Sequence, residues 1–193
     1  KVALSSVVAL FGTYQIAANG IAQSIWSVAA LVSVSLGPVY ITVIGQCMGL
    51  QDTKQATYYF KKLTLITIAM SLIWNVLIFM LTPLIVNAFA ISDKTKELVI
   101  LLVLIHNIFC IFAFPFADPL GKGLRACGDV KFTTIISLVT TIGVRLILSV
   151  IFGVILNLGV IGITYAMCFD WTIRGIIFWL RFKSGTWKKF KLI

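Results

Sequence analysis

Three charged side chains stand where apolar sequence surrounds them. Asp170 and Arg174 lie four positions apart in FDWTIRGIIFWLRFKSGTWKK, and Arg145 sits inside TTIGVRLILSV. An ionised group is costly within hydrocarbon, so such residues turn towards one another, towards protein or towards a water-filled path. Two chemistries fit them: a neutralised charge network that fixes packing, or a site that carries an ion or a proton. Asp118, His106 and Lys1 raise the same question. Asp118 suits either an interfacial position or ion coupling, and His106 either packs or carries a proton. Lys1 meets no acidic partner nearby in the sequence.

The elements that must position these residues follow from composition. The chain has 193 residues, of which 60% are hydrophobic and 11% charged, where a soluble domain carries about 25% charged. The apolar residues come in blocks suited to the roughly 20 needed for a membrane-crossing helix. The chain therefore reads as an all-α integral membrane protein, with runs at about 1–11, 16–48, 62–89, 98–125, 132–156 and 160–182, then a basic tail over 183–193. The first run is partial and opens on Lys1 rather than Met, as expected of a fragment with further sequence upstream. Gly37-Pro38 is expected to kink the second run, and Pro115 with Pro119 to bend or break the fourth. Short connections make the first and last pairs antiparallel hairpins.

The net charge is +10, yet its placement is that of membrane topology rather than of a phosphate-binding face, so no nucleic-acid partner is expected. Lys54, Lys61 and Lys62, then Lys122, Arg125 and Lys131, then Arg181, Lys183, Lys188, Lys189 and Lys191 all fall on one side. The other side has Lys94 and Lys96, offset by Asp93 and Glu97. The basic side, with the C-terminus, is expected in the cytoplasm, with Trp187 as an interfacial anchor. Cys47, Cys110, Cys127 and Cys168 form no metal-ligand spacing and read as packed free thiols.

Depth arithmetic pairs the buried charges. Arg145 lies roughly 20 Å from the basic end of its run and Asp170 roughly 15 Å from the opposite end of the next, at 1.5 Å per residue. An antiparallel hairpin brings them level, which predicts an Arg145–Asp170 pair, with Arg174 one turn on, as structural intramembrane charges. Three stripes recur at helical spacing: Ser137, Thr141, Arg145, Ser149 and Gly153; Thr64, Thr67, Ser71 and Asn75; Asn19, Gln23, Trp26, Ala30, Ser33 and Gly37. Such faces either bind helices to one another or line a cavity.

VVALFGTYQIAANGIAQSI, GQCMGLQDTKQA, GLRACGDVKFT and DWTIRGIIFWLRFKSGTW, in this order and at similar spacing, resemble the multidrug and toxic compound extrusion (MATE) family. The resemblance covers essentially the whole chain and is similar to the second six-helix lobe of a twelve-helix, two-lobe transporter, beginning midway along the seventh helix. It implies a cell-membrane, multi-pass antiporter with a cytoplasmic C-terminus and no cofactor, exporting cationic or amphipathic compounds in exchange for Na+ or H+. It implies a first lobe, a lipid bilayer and small organic cations or amphipathic compounds as partners. By the resemblance, Lys1, Asn19 and Gln23 face the cavity. A cation-coordinating acid that some members carry in the tenth helix falls at Phe114 here, with Asp118 one turn later as the nearest carboxylate. A flippase of lipid-linked precursors and a non-transporting membrane scaffold are the alternatives. No HExxH or GxSxG stands in the chain, and an enzyme is not expected.

Overall fold

The computed structural model describes residues 7–190, which hold helices and turns with no strand among them. Two helices, α1 (Thr13–Ala29) and α2 (Leu31–Gly49), follow one another through Ala30. Backbone hydrogen bonds continue on both sides of Ala30, so this is one interrupted helix rather than a hairpin. Then come α3 (Thr53–Asn87), α4 (Asp93–Phe112), α5 (Phe114–Ala117) and α6 (Pro119–Ala126). The next span is composite: α7 (Val130–Leu138), a π-helical segment (Val139–Val144), α8 (Arg145–Val150) and a second π segment (Ile151–Ile155). The long α9 (Gly159–Ser184) and a 3-10 turn (Thr186–Lys189) follow. Among the described residues, five stretches are long and apolar enough to cross a membrane: Leu31–Gly49, Thr53–Asn87, Asp93–Phe112, Val130–Ile155 and Gly159–Ser184.

The core is three apolar layers stacked along the bundle, as α9 shows in passing through each. Val160 and Ile163 join Ala18, Ala22, Val99 and Leu102. Met167, Cys168 and Trp171 join Ala30, Cys110 and Phe114. Phe178 and Phe182 join Tyr40, Phe60, Leu124 and Trp187. The lysines and arginines of the basic side flank this last layer. The four cysteines are buried free thiols.

The fifth and sixth spans approach closely because small residues let them. A Cβ on Gly162 would lie 2.5 Å from the carbonyl carbon of Phe152, so only hydrogen fits there. Contact of this kind, rather than any hydrophobic drive, holds helices together in lipid. The hairpin turns through Asn157 and Gly159, both at positive φ.

Several expectations change. The second span breaks at Ala30, while Gly37 and Pro38 stay inside α2. The third span starts at Thr53, where Asp52 caps it by accepting from the Gln55 amide at 2.9 Å, so Lys54, Lys61 and Lys62 ride on helix rather than loop. At 35 residues α3 runs about 52 Å, well past the roughly 30 Å of hydrocarbon, and its lysine-bearing end extends beyond it. The fourth span is broken as expected, at Ala113 and Asp118 beside both prolines. Lys1 lies outside the described residues.

Trp187 is not an interfacial anchor. Gly185, at φ 69°, reverses the chain and folds the indole back into the bundle. There it is fully buried, stacked on Phe182 with centroids 5.9 Å apart and donating to the Phe182 carbonyl at 3.0 Å. Replacing Trp187 by Ala should cost about 3–5 kcal/mol, the range for a large aromatic removed from a core. Thermal unfolding in detergent checks this, with Trp187→Phe expected to lose much less because the stack survives.

Candidate functional site

Asp170 is wholly buried between two guanidinium groups. Arg145 Nη2 forms an ion pair with its Oδ2 at 2.7 Å, and Arg174 Nη2 donates to both carboxylate oxygens at 2.5 and 2.6 Å. The structure thus brings together the three charges that depth arithmetic placed at one level. Arg174 is also held from the fifth span, donating through Nε to Thr140 Oγ1 at 3.1 Å and through Nη2 to Thr141 Oγ1 at 3.0 Å. Two consecutive threonines serve one side chain because both lie in the π segment, whose wider turn brings neighbours towards a common face. Spacing by four finds Thr141 and misses Thr140. The cluster holds one carboxylate against two cations, and Arg145 Nε meets no partner among the described residues.

A second network escaped the sequence reading. Asp129, 2% exposed, accepts from Arg181 Nε at 2.7 Å and Nη2 at 3.2 Å, and Arg181 lies 4.3 Å from the Phe132 ring centroid. The pair ties the start of α7 to the end of α9. Both residues fall on the basic side, which was the available signal. Asp118 is half-buried and paired with Lys122 at 2.8 Å within the broken fourth span. The Lys122 side chain lies across Gly37, where a Cβ would come within 2.5 Å of its Cδ. His106 is fully buried, 6.0 Å from the Trp26 ring and 6.3 Å from Trp171, and neither ring nitrogen has a partner among the described residues.

The polar stripes separate by role. That of α3 is packing: Thr64 accepts from Tyr40 at 3.0 Å, Ser71 bonds Ser33 at 2.8 Å, and the Asn75 carbonyl accepts from Asn107 at 3.1 Å. In the stripe of the fifth span, Thr141, Arg145 and Gly153 meet α9, while Ser137 accepts from Arg125 of α6 at 3.2 Å. On α1 and α2, Ala30, Ser33 and Gly37 are buried inside the lobe and Trp26 stacks on Trp171, while Asn19 and Gln23 are half-buried at the edge. The outward line is displaced from them: Gly20, Ser24, Ser27, Ser35, Thr42 and Gln46 are exposed, interrupted by Leu31 and Pro38. By contrast, every exposed side chain of α3 from Leu65 to Leu84 is apolar, as lipid requires. Lys122, paired with Asp118, covers Gly37, the buried neighbour of Pro38 in the polar line.

The MatE family profile matches residues 1–151. An uncharacterized transporter of Bacillus subtilis, YisQ, is 35% identical over 66 residues, 34% of this chain and 14% of that protein. Among solved structures, a MATE protein in complex with MaL6 superposes with TM-score 0.87 at 18% identity, over 100% of this chain and 42% of its own. A MOP-superfamily transporter from Pyrococcus furiosus, described as having a binding pocket of reverse polarity, gives 0.86 at 18% identity with the same coverage. An outward-facing multidrug resistance MATE transporter of that superfamily gives 0.79 at 21% identity. The chain thus spans well under half the length of these proteins.

The Asp170 network sets an order of losses. Asp170→Ala leaves two half-buried guanidiniums without their carboxylate and should cost about 3 kcal/mol, the low end of the range for breaking a buried pair. Arg145→Ala should cost less, because Arg174 keeps the carboxylate paired. Melting of the purified variants checks the ranking.

Proposed function

The chain belongs to the MatE family, and on that premise we propose that it is the second six-helix lobe of a two-lobe secondary antiporter. It exports cationic or amphipathic compounds in exchange for Na+ or H+. The observation that carries this reading is the contrast between the exposed faces of α1–α2 and α3. One carries a line of glycine, hydroxyl and amide groups among exposed apolar residues such as Val28, Val34 and Ile41, and the other, from Leu65 to Leu84, exposes hydrocarbon alone. A polar face at membrane depth is stable where it meets water or protein, so the α1–α2 line forms this lobe's half of the substrate path, and the first lobe of the same polypeptide supplies the rest. Asn19 and Gln23, half-buried at its edge, border that path. The hydroxyls of Ser24 and Ser27 bond back to their own helix, at Gly20 and Ser24 carbonyls, so the wall stays satisfied when no substrate is present. The protein lies in the cell membrane with its basic side and C-terminus in the cytoplasm.

Asp118 is the carboxylate placed to receive the coupling ion. Lys122 balances its charge in this conformation and lies against α2 at Gly37. A sodium ion or proton on Asp118 takes over that balance and frees Lys122 to leave Gly37, so ion binding favours a different α2–α6 contact. A ligand shifts a conformational equilibrium only through such a difference between states, and rocking of the lobes follows. A lipid-linked precursor flippase calls for a larger basic cavity, and the one lysine at this described wall is already paired.

Cysteines introduced at Ser27 and Ser35 of the full-length transporter should react with a membrane-impermeant thiol reagent at least tenfold faster than one at Ile73, and substrate should slow them. Equal rates at all three positions would remove the path from this face. Asp118→Asn should uncouple export of a fluorescent cation from the ion gradient, read as a loss of at least tenfold in gradient-driven efflux from proteoliposomes. Undiminished coupling would place the ion elsewhere.

A further inference from the structure

An apolar groove of about 490 Å³ opens between the broken fourth span and α9, lined by Phe109, Phe112, Phe116, Thr172, Ile176 and Trp179. Its floor is Gly175, where a Cβ would meet the Phe116 Cβ at 3.0 Å and the Ala113 carbonyl oxygen at 3.2 Å. The two walls run in the same direction, both towards the basic side. Phe112 and Ile176 are 64% and 54% exposed, so the groove is open along its length. It closes at Trp179, whose ring meets Phe116 edge-on at 5.5 Å. Beyond this end stands Lys183, exposed, with its ammonium 5.4 Å from the Trp179 centroid. Arg181 is engaged by Asp129, whereas Lys183 has no carboxylate within salt-bridge reach among the described residues.

We propose that this groove binds one acyl chain of an anionic glycerophospholipid, with Lys183 holding the phosphate head. The dimensions agree with one chain in one leaflet. From Thr172 to Trp179 α9 rises about 10 Å, some two thirds of the roughly 15 Å of hydrocarbon in half a bilayer. The volume is that of a small-molecule site. The charge agrees as well, because an unpaired lysine above an aromatic at the hydrocarbon edge attracts an anionic head. Neither the exposed face of α3 nor the polar line of α1–α2 combines an apolar trough with a terminal cation. The inference shares the membrane placement of the proposed function and is independent of antiport.

The test uses the full-length polypeptide carrying this lobe, in nanodiscs containing phosphatidylglycerol with a photoactivatable diazirine in one acyl chain. Adducts should map to Phe109–Phe116 and Thr172–Trp179, with about fivefold preference over the matching phosphatidylcholine probe, as expected for one lysine near a lipid phosphate. Lys183→Gln should abolish the headgroup preference and keep the labelling. Thr172→Trp and, as an independent variant at an exposed position, Ile176→Trp should fill the groove and cut labelling at least fivefold. Labelling of α3 equal to that of the groove would overturn the site, as would displacement of the label by an exported compound. Disulfide capture of an Ile176→Cys variant by the first lobe, without lipid adducts, would overturn it in favour of a protein occupant. Efflux measured in parallel keeps the two readings apart, since absent labelling with intact transport sinks the lipid site alone.

Discussion

A bilayer offers no water to an exposed polar group, so each one must be satisfied within the protein or turned towards a wet path. That constraint sorts most of the molecule, His106 and Arg145 Nε being exceptions among the described residues. Asp170, Asp129 and Ser71 are buried and bonded; the side chains of α3 that face outward from Leu65 to Leu84 are hydrocarbon. What remains is a line of small and hydroxylated residues on α1 and α2 that faces out of the lobe yet does not suit lipid. The functional surface is identified by elimination as much as by its own chemistry.

Within the lobe, the Asp170 cluster and the glycine-lined crossing act on the same pair of spans. Gly162 lets α9 lie against the backbone of the second π segment, and the charges further along fix the register at which it lies. A carboxylate with two cationic partners is not there for maximal stability, since apolar residues of equal volume often serve as well. Its contribution is specificity: the charges meet at one rotation and one depth of the fifth span. Asp129 and Arg181 impose a like condition at the basic end.

Much of this was legible in the sequence, and the failures have physical causes. The five apolar spans among the described residues and the Arg145–Asp170–Arg174 level follow from hydropathy, periodicity and rise per residue, which survive in any membrane helix. The interruption at Ala30 carried no proline or glycine, so its position could not be read, and the outward line of α1–α2 was taken one position off. The π segment put Thr140 beside Thr141, which an assumed repeat of 3.6 cannot show. Trp187 next to lysines looked interfacial because local composition says nothing of a left-handed glycine folding it inward. Asp129 and Arg181 belong to opposite ends of two spans, and only the assembled bundle brings them within reach.

Trp187 has a bearing on how the lobe is assembled. Phe60 and Tyr40, deposited in the membrane with the early helices, depend for their final packing on an aromatic ring made far later in the chain. Contacts so distant in sequence close slowly, because the intervening chain must lose its freedom first. The opposite layer draws chiefly on α1, α3 and α4 and is largely complete before α9 arrives. The lobe therefore sets from that side and is sealed last at its lysine-rich end.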